Sequence, residues 1–74
     1  MGSLPVISGA DCIAALAKIG YRPIRQKGSH VRLLCHGRSP LTVPLHPELD
    51  RGTLRGILRT AEVGVDEFIA LLGG

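Results

Sequence analysis

The chain is nearly devoid of aromatic residues. Tyr21 and Phe68 stand alone, and there is no tryptophan, so any core must be aliphatic. Cysteine is scarce too. Cys12 and Cys35 lie far apart, lack metal-ligand spacing and occupy apolar-periodic positions, which reads as two reduced core thiols. No apolar run approaches the roughly 18 residues that span a bilayer. The start, Met1-Gly2-Ser3-Leu4-Pro5, lacks the charged and apolar regions of a secretory leader, so a cytoplasmic protein without membrane association is the expectation. No Walker-type loop, Rossmann fingerprint or nucleophile elbow is present. The three histidines are not spaced as zinc ligands. Neither a metal nor a small-molecule cofactor is therefore expected. Acidic residues are the minority charge, six against nine Lys and Arg, for a formal charge of +3. That moderate excess is compatible with an anionic partner such as RNA or an acidic protein.

What remains is enough for one small domain over residues 1–74, with a hydrophobic fraction of 45% that argues against disorder. Ser8 and Asp11 resemble a capping pair. Cys12, Ile13, Leu16 and Ile19 then recur at helical spacing until Gly20, predicting a helix over Gly9 to Ile19. From Tyr21 to Val43 the period changes to two. Val31, Leu33 and Cys35 alternate with His30, Arg32, Leu34 and His36, the pattern of a half-buried strand. A preceding strand over Arg22 to Gln26 contains Pro23, which belongs at a sheet edge. His36 to Pro40 reads as a turn, and Leu41 to Val43 as a short third strand ended by Pro44. Asp50 caps a second helix over Arg51 to Ala61, its buried stripe Leu54, Ile57, Leu58 and Ala61, with Gly64 ending it. Asp66 opens a short last helix with Val65, Phe68, Ile69 and Leu72 facing inward. The order α-β-β-β-α-α implies an α+β fold, a three-stranded antiparallel sheet with helices on one face and the other face open.

The chemistry concentrates in Arg25-Gln26-Lys27-Gly28-Ser29-His30. Histidine is the side chain whose ordinary pKa lies nearest neutrality, and hence the usual proton-transfer group. With Lys27-Gly28 as the whole hairpin loop, Gln26 faces Ser29 and Arg25 faces His30. Arg25, His30 and Arg32 then gather on the face away from the aliphatic core. A solvated surface histidine would also account for His30. Against that stand the Gly-Ser turn before it, its polar face and its flanking arginines. A neutral imidazole there could accept the proton of a ribose 2′-hydroxyl, while Arg25, Lys27 and Arg32 neutralise phosphate. The Gly28-Ser29 backbone and the Ser29 hydroxyl suit phosphate contact.

Arg51, Arg55 and Arg59 fall at i, i+4 and i+8, where like charges cost roughly 0.2–0.5 kcal/mol per pair. Either this face is solvated and partly neutralised by Glu62, or it meets RNA phosphates or an acidic surface. Arg55 and Arg59 accordingly join the phosphate-binding candidates. His46, between Pro44 and Pro47, is either a structural loop histidine or a secondary catalytic group. His36, before Gly37 in a turn, is neutral to the argument. Three functions remain open on the residues alone: a ribonuclease, a non-catalytic RNA-binding module and a protein-interaction domain.

The chain also resembles the HicA, or YcfA-like, toxins of bacterial toxin–antitoxin pairs. The resemblance rests on Gly20-Tyr21, Arg25-Gln26-Lys27-Gly28-Ser29-His30, Val43-Pro44-Leu45-His46 and Gly52-Thr53-Leu54-Arg55-Gly56-Ile57-Leu58, followed by Ala61 and Gly64. It spans nearly the whole chain beyond Leu4. It implies a double-stranded-RNA-binding-domain-like fold and a metal-independent endoribonuclease (an mRNA interferase). It also implies mRNA as substrate, a HicB-like antitoxin as partner, and His30 as the catalytic histidine. Two positions depart from the family pattern, Arg51 in place of a frequent proline and Val65-Asp66 in place of a Ser or Thr cap. Neither touches the turn.

Overall fold

A computed structural model describes residues 3–73; Met1, Gly2 and Gly74, at the ends of the expected domain, lie outside this description. The first helix, α1 (Gly9–Ala17), starts directly after Ser8, an extended N-cap residue whose hydroxyl accepts the Asp11 N–H at 3.0 Å. It closes in a tighter turn. Gly20, at φ +109°, sends its N–H to Ala17, and the Tyr21 N–H returns to the Leu16 carbonyl. That pair of bonds is a Schellman motif, for which glycine's freedom at positive φ is suited. At its other end α1 touches the end of the sheet. The Gly9 N–H donates to the His46 carbonyl at 3.0 Å, and a Cβ on Gly9 would lie 2.0 Å from the Pro44 carbonyl oxygen. Only glycine lets the helix approach this closely.

The sheet is an antiparallel meander of β1 (Arg22–Lys27), β2 (His30–Cys35) and β3 (Arg38–Pro44), in spatial order β1-β2-β3. The hairpin register differs from the sequence reading. Lys27 pairs with His30 and Arg25 with Arg32, so the loop is Gly28-Ser29 rather than Lys27-Gly28. Gly28 alone of the two has positive φ, +59°, the signature of a turn that takes glycine at its first central position. The third strand starts earlier than expected. The turn is confined to His36-Gly37, with Gly37 at φ +83°, and Arg38 already pairs with Cys35. Pro40 is tolerated because the register shifts there and β3 is an edge strand, where an absent donor breaks no ladder. Pro23 sits on the opposite edge strand, as its chemistry demands. β1 is exposed along its whole length, because the helices cover only β2 and β3.

The second helix, α2 (Arg51–Ala61), has the bounds its sequence predicts. Asp50 accepts both the backbone N–H and the hydroxyl of Thr53. These two bonds, the hydroxyl one foremost, hold the Asp50 carboxyl below its ordinary range. The helix ends differently from expectation. Glu62, not Gly64, adopts the left-handed conformation (φ 59°, ψ 43°), with Val63 N–H bonding back to Leu58. Gly64 instead opens α3 (Val65–Gly73), its carbonyl accepting the Phe68 N–H at 2.9 Å. The reason is spatial, since ending one residue after Ala61 drops Val63 into the core. Arg38 reinforces this end by donating to the Ala61 carbonyl at 2.6 Å, a cation at the negative pole of the helix.

α1 and α2 pack on β3, and α3 packs on α1. The core between them holds Val31, Leu33, Cys35, Leu41 and Val43 from the sheet, with Leu16, Leu54, Ile57, Leu58 and Phe68 from the helices. Enclosing a side chain such as Leu33 or Leu54 stabilises by about 1.5–3 kcal/mol. Tyr21, one of the two aromatics, is enclosed as well, its hydroxyl donating to the Ser39 carbonyl at 2.8 Å. In α3 the expected inward set is corrected at one position: Ile69 is exposed and Leu71 packs against the core instead. Among the described residues no helix is long and apolar enough to cross a membrane.

Two substitutions test these joints. Gly9→Ala drives a methyl into the Pro44 carbonyl and is expected to cost at least about 2 kcal/mol in chemical denaturation. Glu62→Gly removes the cost of a left-handed non-glycine residue and is expected to raise stability by about 1 kcal/mol.

Candidate functional site

Because the helices lie on one side of the sheet, the other side is bare. Alternation along β2 sends Val31, Leu33 and Cys35 to the core and leaves His30, Arg32 and Leu34 on the open side. The observed register adds β1 residues to this face. Lys27 stands across from His30, and Arg25 across from Arg32. From the other flank Thr42 stands across from Arg32 and its hydroxyl accepts from the guanidinium at 3.2 Å. Arg25, Lys27, His30, Arg32 and Thr42 together line a shallow depression of about 390 Å³. The sequence reading assembled three of these residues on one face. Lys27 it placed in the turn, though as a phosphate ligand, and Thr42 was missed. The signal for Thr42 was available in the alternation Leu41-Thr42-Val43, but its partner depended on a register that only folding sets.

The other candidates are distributed as follows. Gly28 and Ser29 form the turn at the end of the depression without lining it. The Ser29 carbonyl accepts the Leu45 N–H at 2.6 Å, tying the hairpin tip to the segment that carries His46. His46 is exposed, and its carbonyl is held by Gly9. It therefore belongs to the same end of the sheet but not to the depression. His36 is exposed at the far turn. Arg55 and Arg59 are exposed on α2, across the sheet from His30, and take no part in this site.

Electrostatically the sheet is one-sided in sign. No Asp or Glu occurs between Cys12 and Pro47, whereas Lys18, Arg22, Arg25, Lys27, Arg32 and Arg38 all do. Arg22 shares the open face, since it pairs with Leu34. The depression is thus walled by donors and positive charge. Among the described residues no three His, Cys, Asp or Glu side chains gather where they could share a metal ion. The thiols sit elsewhere. Both cysteines are free and buried, and burial pushes the Cys12 thiol up to about 12. Burial also raises the Tyr21 hydroxyl. Neither group is available as a nucleophile or acid near neutrality.

A meander of this kind, with helices on one face and a cationic, histidine-bearing face left open, defines a small α+β protein of the double-stranded-RNA-binding-domain-like type. The description "HicA toxin of bacterial toxin-antitoxin" matches residues 9–63. A solved structure titled "Toxin-Antitoxin complex from Streptococcus pneumoniae" contains a similar chain. The two are 33% identical with a TM-score of 0.68, over 77% of this chain and 98% of that one. No curated protein matches. The chain belongs to the HicA toxin family.

The cysteines allow a direct check of this arrangement. In the folded protein the Cys12 thiol is expected to react with Ellman's reagent at least ~100-fold more slowly than in denaturant, because thiolate is the reactive form and burial suppresses it.

Proposed function

We propose that this toxin is a metal-independent endoribonuclease that cleaves mRNA, with His30 as its general base. The observation that carries the proposal is the placement of His30 across the strand pair from Lys27, in a depression shared with Arg25 and Arg32. The imidazole takes the proton of a ribose 2′-hydroxyl. The resulting alkoxide attacks the adjacent phosphorus, and the 5′-oxygen leaves. Arg25, Lys27 and Arg32 hold the phosphate and neutralise the charge that builds on it, the role for which preorganised cations are most effective. Thr42 keeps Arg32 aimed. The Gly28-Ser29 backbone and the Ser29 hydroxyl lie where the neighbouring phosphate would pass. The products are a 2′,3′-cyclic phosphate and a 5′-hydroxyl.

The leaving oxygen needs a proton that His30, having just acted as base, supplies only by handing the same one on. Lys27 and His46 are the other two candidates, the first beside His30 and the second at the same end of the sheet. Metal independence is supported by the ligand set. Mg²⁺ takes oxygen ligands, chiefly carboxylates and phosphates, and the open face has cations where such carboxylates would be.

We further infer that a HicB-like antitoxin covers this face in the resting state. The similar chain from Streptococcus pneumoniae comes from a structure titled as a toxin–antitoxin complex, and a partner here would have to meet the cations of the depression with acceptors or carboxylates.

His30→Ala is expected to lower RNA cleavage in EDTA by at least ~100-fold, the usual lower bound for a lost acid–base group. Wild type should retain its activity in EDTA, and induced expression should arrest growth only for wild type. Equal cleavage by the two proteins, or loss of wild-type cleavage on chelation, would sink the mechanism. RNA binding without cleavage by either protein would instead indicate a binding module.

A further inference from the structure

The arginines of α2 are unused by the site just described. Arg51, Arg55 and Arg59 are all exposed, while Leu54, Ile57, Leu58 and Ala61 of the same helix face the core. Like charges four residues apart repel one another along a helix face. Both Asp50 oxygens are engaged by Thr53, and Glu62 lies past the last helical residue as the left-handed cap of α2.

Beside each of the first two arginines stands a glycine, Gly52 and Gly56. At Gly56 a Cβ would meet nothing within 4 Å, so the fold has no need of glycine there. A glycine in a helix interior weakens the helix relative to alanine. The outer surface of α2 thus bears two local costs, repelling charges and an unneeded glycine, with no return inside the monomer. Both make sense if a polyanion backbone lies against the helix. Glycines leave room for close approach, and arginine forks suit phosphate oxygens. Four helical residues rise about 6 Å, comparable with the spacing of neighbouring phosphates along one strand. A protein partner is disfavoured. None of the exposed large hydrophobic residues (Val6, Ile24, Leu34, Leu45 and Ile69) lies on α2, and protein interfaces centre on apolar anchors.

The stripe and the depression lie on opposite sides of the sheet, in a molecule whose shortest extent is 20 Å. A few nucleotides cannot touch both. We propose that the Arg51–Arg55–Arg59 face of α2 is a second RNA-backbone site, which strengthens binding of RNA long enough to reach round the molecule and leaves the chemical step alone. The proposal builds on the nuclease reading by restricting the preferred substrate to long RNA.

The test uses the triple variant Arg51→Gln, Arg55→Gln, Arg59→Gln, with circular dichroism confirming the helix. Binding is measured in a His30→Ala background, with single-stranded RNA of about 4 and about 30 nucleotides, spanning the range of single-module site sizes. The long RNA should bind at least ~10-fold more weakly, and its dependence of log K on log salt should become shallower by about 2, near 0.7 per lost phosphate contact. The short RNA should be unaffected. With His30 intact, KM for the long RNA should rise while cleavage of the short one is unchanged. An unaltered salt slope, or equal losses for both lengths, would overturn the second site, as would intact RNA binding with lost antitoxin binding. If wild type cuts neither RNA yet the slope still depends on the arginines, the nuclease reading fails and the surface stands.

Discussion

The strand β2 has one side that must be dry and one that can only be wet. Val31, Leu33 and Cys35 cannot be left in water without removing the sheet's central strand from the core, and His30 and Arg32 cannot be buried without unpaired polar groups. Since side chains on a strand alternate strictly, satisfying the first set places the second. The helices must therefore lie on one side of the sheet, and whatever the protein does with His30 it does on the other. Covering β2 and β3 exhausts the helices, which is why β1 remains exposed on both faces, Ile24 included.

The same alternation explains why the open face withstood an error in the hairpin. Centring the loop one residue later changes every partner across the strands, so that His30 gains Lys27 in place of Arg25. It does not change which side any residue occupies, because the pairing moves by two positions. A slip by one would have buried the histidine. What the register does decide is chemistry at the level of neighbours: a lysine beside the histidine, and Thr42 bracing Arg32. The depression is accordingly a property of three strands, while its central motif lies in one turn and the strand that follows.

Charge divides the molecule in two. The sheet and its connections contain no carboxylate, and its cations other than Arg38, which caps α2, converge on the open face. The remaining three arginines ride on α2, on the opposite side. In the sequence both sets are merely basic residues, and grouping Arg55 and Arg59 with Arg25, Lys27 and Arg32 was natural. The fold separates them, and with that separation a single basic protein becomes one with two distinct cationic surfaces.

Much of this was determined locally. The bounds of α2, the Ser8 and Asp50 caps, the α-β-β-β-α-α order and the edge position of Pro23 follow from interactions spanning a few residues, and these a linear pattern records. So does the central motif from Arg25 to His30. Other features depended on tertiary structure. The hairpin register, the early start of β3, the left-handed Glu62 in place of Gly64 and the exposure of Ile69 each depend on which distant atoms compete for the same space. Gly9 shows the limit most plainly: a glycine at a helix start is unremarkable in sequence. It matters only because Pro44 and His46, more than thirty residues away, come to rest against it.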